Sequence, residues 1–91
     1  MRNYLEVARI FRALAHPMRL KLVNELIKGE CCVGEAQKCL SISQPNVSQH
    51  LKVLKEAGII ISRREKNRVC YRASDDSVKK IFKIIFREKL K

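Results

Sequence analysis

Two groups of side chains in this sequence could do chemistry. The first is Ser43, Gln44, Asn46, Ser48, Gln49, His50 and Lys52, which brings hydroxyls, amides, an imidazole and an ammonium into one short stretch. The second is the adjacent thiol pair Cys31-Cys32, with Cys39 and Cys70 further along. Neither group assembles a nucleophile, a base and an oxyanion donor, so an enzyme is not expected. Read as a helix from Gln44 to about Ala57, the first stretch places Val47, Leu51 and Leu54 at i, i+4 and i+7 on one face. Its other face carries Pro45, Ser48, Gln49 and Lys52. Side-chain amides can pair with base edges, so a helix apolar behind and amide-bearing in front suits the DNA major groove. An ordinary amphipathic surface helix would show the same pattern, and the flanking elements must separate the two.

Those elements can be read in order. Residues 3–15 form a first helical pattern, with Tyr4, Val7, Ala8, Phe11, Leu14 and Ala15 at helical spacing. His16-Pro17 interrupts it, because a residue before proline is pushed out of the α region. A second helix runs from Pro17 to Lys28, with Gly29 placed to end it. Its apolar residues Met18, Leu20, Leu22, Val23, Leu26 and Ile27 are too widely spread for one stripe, which predicts burial on more than one side. A short helix over about 33–40 leads through Ser41-Ile42-Ser43 into the amide-bearing helix, the spacing of a helix-turn-helix. Ser43 is placed to cap that helix, and Gly58 to stop it. Residues 59–64 read as a β-branched strand and 68–73 as its hairpin partner, across Glu65-Lys66-Asn67. Ser74-Asp75-Asp76 opens a last helix, 75–90, with Arg87, Lys89 and Lys91 at its basic end. The order gives a mainly α (α+β) winged helix-turn-helix, five helices with a two-stranded β-hairpin wing, as one domain over 1–91.

Composition agrees. The net charge is +11 over 91 residues, which calls for an anionic partner, and nucleic acid is the leading one. At 46% hydrophobic residues the chain can form a core, though a small one that a partner would help. No apolar run approaches the ~20 residues of a spanning helix, and the N-terminus has no signal-peptide pattern. A cytoplasmic protein with four initially reduced cysteines is expected. Three Phe and two Tyr leave few stacking platforms for single strands, which argues against RNA. Arg63, Arg64, Lys66 and Arg68 on the hairpin are expected to neutralise backbone phosphates beside the groove-reading helix.

Ala13-Leu14-Ala15-His16-Pro17-Met18-Arg19-Leu20 resembles the Ala-Leu-Ala-(Asp/His)-Pro-x-Arg-Leu signature of the ArsR/SmtB winged-helix repressors. Ser43 through Leu51 is similar to their recognition helix, and Gly58-Ile59-Ile60 with Tyr71-Arg72 to their wing. The resemblance spans nearly the whole chain. It implies a homodimeric repressor that leaves its operator when a metal ion, a metalloid or an oxidant acts on it. It also implies DNA contacts at Ser43, Gln44, Asn46, Ser48, Gln49 and His50. His50 has a second reading as a partly buried structural histidine.

The sensor departs from the family pattern. Its thiolate box, Glu-Leu-Cys-Val-Cys-Asp-Leu, is here Glu30-Cys31-Cys32-Val33-Gly34-Glu35-Ala36, with Gly34 at the second cysteine position. Residues 75–91 contain no histidine for the family's other zinc site. A standard metal site is therefore not expected, nor is any cofactor, because a soft metal wants two or three converging thiolates. Cys39 lies about 10 Å along a helix from Cys32, too far for a disulfide, and reads as a small core residue. Cys70 falls on the Arg72 face of its strand, either exposed or against a partner subunit. Cys31 and Cys32, at a helix N-terminus in a cationic protein, are the sensor candidates, with thiolates expected to be favoured. The alternative is that they have no sensing role.

The last helix shows Val78, Ile81, Phe82, Ile84, Ile85 and Phe86, more apolar surface than a small core covers. First and last helices are therefore expected to form a two-fold dimer on a near-palindromic site in double-stranded DNA. Set against this repressor is an architectural DNA-binding protein with weak sequence preference, which a low specific-to-nonspecific affinity ratio would reveal.

Overall fold

Four of the five described helices begin at a residue whose side chain accepts from an orphan N–H group. The computed structural model describes residues 2–86. Helix α1 (Tyr4–Leu14) is opened by a capping box: Asn3 Oδ1 accepts from the Glu6 N–H at 2.8 Å, and Glu6 Oε1 from the Asn3 N–H at 3.0 Å. Helix α2 (Pro17–Lys28) is capped by His16, whose Nδ1 accepts from the Met18 N–H at 3.1 Å. The His16-Pro17 interruption is thus also the start of the next helix. Gly29 ends α2 in extended backbone, φ 177°, so no left-handed turn demands glycine there.

A short strand β1 (Cys31–Cys32) leads directly into α3 (Val33–Leu40), and Ser41 closes α3 in the left-handed region at φ 57°. Ser43 caps the recognition helix α4 (Gln44–Glu56), its Oγ accepting from the Asn46 N–H at 3.4 Å. The end of α4 is a Schellman motif, with Gly58 N–H to Lys55 O at 3.0 Å and Ile59 N–H to Leu54 O at 3.1 Å. That motif needs the left-handed φ of +80° that Gly58 supplies. It also keeps Ile59 on the helix cap, so strand β2 (Ile60–Glu65) starts and ends one residue later than the sequence pattern predicts.

β2 pairs antiparallel with β3 (Arg68–Ala73), from Ile60 opposite Ala73 to Glu65 opposite Arg68, across Lys66-Asn67 with Lys66 at φ 56°. The expected two-stranded hairpin wing is present as β2 and β3, and the sheet has a third member that the sequence did not reveal. β1 pairs with the outer side of β3, giving the order β1-β3-β2. Two residues are too few to show strand alternation, and their partner lies far along the chain. Helix α5 (Asp76–Ile85) begins at buried Asp75, whose Oδ1 accepts from the Val78 N–H at 2.9 Å and whose Oδ2 pairs with Arg2. Arg87, Lys89 and Lys91, expected to complete this helix, lie outside the described residues.

One core joins the elements. Leu22, Val23 and Leu26 of α2 meet Ala36 and Leu40 of α3, Val47, Leu51 and Leu54 of α4, Ile59 and Ile60, and Val78 and Phe82 of α5. Met18, Leu20 and Ile27 pack around it, so α2 is buried on more than one side, as its sequence implies. The three apolar residues of α4 are 0–1% exposed. At ~1.5–3 kcal/mol for each fully buried aliphatic side chain, that face holds α4 against the body and commits its other face to solvent.

Candidate nucleic-acid interface

The outward face of α4 is the one anticipated. Gln44, Asn46, Ser48, Gln49 and Lys52 are all exposed, because the buried row at 47, 51 and 54 turns them away from the core. Ser43 is exposed too, but its oxygen is engaged as the helix cap, leaving its O–H to donate outward.

His50 sits apart from this row. It is half-buried with its ring against that of His16, centroids 4.7 Å apart and planes tilted by 55°. Burial, then the charges of His16 and Arg19, hold its pKa below the usual 6.5. An imidazole shifted down on folding binds fewer protons in the folded chain than in the unfolded one. Its contribution is therefore complete above the unfolded pKa and is lost as pH falls from there through the lower folded pKa. Acidification from about pH 7.5 to about 5.5 should lower the urea midpoint, and His50→Gln should flatten that decline. Identical slopes in the two proteins would show that His50 carries none of the effect.

The wing departs from the expected group of four equivalent cations. Arg63 lies opposite Cys70, back from the turn, and is clamped by Glu30, with Nε to Oε2 and Nη2 to Oε1 both 2.8 Å. Those two hydrogen bonds pull the Glu30 carboxyl below its usual range and raise the Arg63 guanidinium. Arg63 is thus paired within the protein, although half of its side chain remains exposed. A bidentate ion pair holds it and braces the wing against the chain entering β1. Arg68 is drawn toward Glu65, Nη2 to Oε1 at 3.7 Å. Among the described residues Arg64 and Lys66 have no ion-pair partner, and both are exposed. The clamp by Glu30 escaped sequence reading because 33 residues separate its partners.

The cysteines depart furthest. Cys32 and Cys70 face each other in the β1–β3 ladder with Cα atoms 3.9 Å apart and are disulfide-bonded. The sequence reading does not pair these two cysteines. Cys70 is 2% exposed, neither on an open face nor free for a partner subunit. Cys39 is half-buried and outside the buried core, contrary to its reading as a core residue. Cys31 is a free thiol, but burial first, then the charges of Glu35, Cys39 and Glu25, push its pKa up. This reverses the expected thiolate bias at Cys31. The helix does not start there but at Val33, and Cys32 is its cap.

Cys32 also lines a groove of about 510 Å³, together with Gly34 and Lys38 of α3, Gln44 at the start of α4, and Asn67 and Arg68 of the wing. The thiol region and the candidate DNA contacts thus share one concavity. Asn67 did not stand out in the sequence, and nothing local distinguishes it from an ordinary turn residue.

A helix-turn-helix with an exposed amide-rich second helix, flanked by a basic wing, on a chain of net charge +11, defines a winged-helix DNA-binding protein. The signature of the bacterial regulatory proteins of the arsR family matches residues 16–62. A biofilm growth-associated repressor of Agrobacterium fabrum is 43% identical over 81 residues, 89% of this chain and 69% of that protein. The chain spans 61% and 56% of two further repressors, from Xylella fastidiosa and Mycobacterium tuberculosis. Among solved structures, HlyU from Vibrio cholerae is 31% identical with a TM-score of 0.88, covering 94% of both chains. A homodimeric winged helix-turn-helix DNA-binding domain from Mycobacterium bovis is 31% identical with a TM-score of 0.82, over 89% of this chain and 75% of that one. The chain belongs to the arsR family: it is a DNA-binding transcriptional repressor of the ArsR/SmtB class and not an enzyme. Among the described residues no helix is long and apolar enough to cross a membrane.

Proposed function

We propose that this chain acts in the cytoplasm as a homodimer on a near-palindromic operator and is released by thiol chemistry in the Cys31-Cys32 region. The observation that carries the DNA half is the row Gln44, Ser48, Gln49 and Lys52, exposed on a helix whose opposite face is buried. Gln44, Ser48 and Gln49 stand nearest the bases. Arg64 and Lys66 neutralise backbone from the wing, with Arg68 beside them.

The dimer rests on apolar surface left open at both ends of the chain. Tyr4, Leu5 and Phe11 of α1 are 96, 78 and 54% exposed, and Ile84 and Ile85 of α5 are 73 and 67% exposed. Exposed apolar surface of this kind is commonly buried by association. A second copy is the partner because a two-fold axis sets two recognition helices about one DNA turn apart, ~34 Å.

One experiment tests the whole. Reduced chain is sedimented with a labelled duplex selected by it from a random pool, then challenged separately with peroxide, persulfide, zinc, cadmium or arsenite. Two chains per duplex are expected, with release on oxidation that Cys32→Ser abolishes. A single 10.6 kDa species at micromolar concentration would overturn the dimer. Release by a metal ion alone would move the regulation from thiol oxidation to metal binding, and no release by any of them would remove the thiol switch.

A further inference from the structure

We propose that Cys32 and Cys70 are a reversible disulfide site, oxidised by hydrogen peroxide entering through the groove between α3, the start of α4 and the wing, and closed to the oxidant when DNA occupies that face. The pairing follows from the ladder. Cys32 and Cys70 are directly opposite on neighbouring antiparallel strands, so their side chains leave the sheet on the same side. Cys31 is opposite Tyr71 and points to the other side. Cys39 lies two helical turns beyond Cys32 and cannot reach it. The register therefore selects one partner out of three.

The position of the bond makes it more than a core staple. Cys32 is the cap of α3, the first helix of the helix-turn-helix, and Cys70 is in the middle strand of the sheet, which also forms the wing. Closing the bond joins the two units that must settle together on a duplex.

Access is narrow and one-sided: Cys70 is 2% and Cys32 8% exposed, and of the two only Cys32 lines the groove. Gly34 also lines that groove, and a Cβ there would meet nothing within 4 Å beyond its chain neighbours and its own helix backbone. Gln44, Asn67 and Arg68 line it as well, along with Glu35 and Lys38. A duplex held by Gln44 and Arg68 roofs this entrance. The shielding rests on the DNA-binding reading above, whereas the pairing does not.

The chemistry balances with peroxide as the oxidant. The Cys32 thiolate attacks one peroxide oxygen, the O–O bond breaks, and Cys32 becomes a sulfenic acid as hydroxide leaves. The Cys70 thiolate then attacks the Cys32 sulfur, forming the S–S bond and expelling the second hydroxide. The two thiol protons convert both hydroxides to water, and the two sulfurs supply the two electrons that reduce the peroxide. A small dithiol reverses the bond by exchange.

The test uses the full chain, reduced, treated with peroxide, quenched by alkylation and mapped by peptide mass spectrometry. The expected product is one intramolecular link between Cys32 and Cys70, with Cys31 and Cys39 both alkylated, reopened by dithiothreitol. The double variant Cys31→Ser/Cys39→Ser leaves the buried pair untouched and must form the same link. With the selected duplex at about 100 times its Kd nearly every chain is bound, and linkage should slow about tenfold or more. A link through Cys31 or Cys39, a link between chains, or an equal rate with and without duplex would each overturn the proposal. If the link forms and duplex slows it, yet oxidised and reduced chains bind duplex equally, the proposed release by thiol chemistry fails and the disulfide site stands.

Discussion

Replacing Gln49 by alanine should lower affinity for the selected duplex by about tenfold or more while leaving binding to random duplex nearly unchanged. A bidentate amide-to-base pair is worth ~1–3 kcal/mol of discrimination, and a two-fold dimer would lose it in both half-sites. Gln49 is exposed on α4 and stands next to none of the ion pairs that hold the wing, so the substitution removes the contact without loosening the scaffold. Arg64→Ala should behave oppositely. Arg64 is exposed on β2 with no ion-pair partner among the described residues, so a phosphate contact through it carries no sequence information. Its loss should weaken all duplexes alike and flatten the plot of log K against log salt by about 0.9 for each phosphate contact removed. A salt titration of both variants on selected and random duplex decides the matter. If the two variants behave alike, the division between base reading by α4 and phosphate neutralisation by the wing is wrong.

Leu54→Ala should cost ~2–5 kcal/mol of folding stability. Leu54 is 0% exposed and belongs to the buried row that anchors α4, and its carbonyl also accepts the Ile59 N–H that closes the helix. Truncation leaves a gap at the join of α4 and the start of β2, where the Schellman turn resists collapse. Domains of this size are stable by only about 5–15 kcal/mol, so the loss is a large share of the total. Leu54→Met, which nearly conserves volume, should cost less than about 1.5 kcal/mol. Urea unfolding at one fixed protein concentration measures both, because association adds a concentration-dependent contribution. A loss under about 1 kcal/mol for the alanine variant would mean that α4 shifts to fill the gap. Its exposed row would then be less firmly placed than the buried face implies.

The anchoring of α4 was legible before any coordinates because its causes are local. Val47, Leu51 and Leu54 lie at helical spacing, Ser43 sits where a cap is needed and Gly58 where a left-handed residue is needed. Periodicity and capping act within a turn or two of helix, so they leave marks that one sequence displays. The same holds for α2, for the hairpin 60–73 and for the exposed apolar surface of α1 and α5.

What tertiary structure alone decided were pairings between side chains far apart in sequence. Arg63 reads like Arg64 as a hairpin cation, but only Arg63 meets Glu30. His50 reads like Gln49 as a polar residue of the recognition helix, but it rests against His16. Cys31 and Cys32 read as one vicinal pair. The two-residue strand sends their side chains to opposite faces, one to a disulfide with Cys70 and the other to a half-buried site where its thiol is held up. Composition, spacing and caps therefore determined the class of protein, the order of its elements and the row of side chains left exposed on α4. Which cations stay free, which histidine packs and which cysteine has a partner depended on strand register and helix docking, which bring together residues that no local pattern connects.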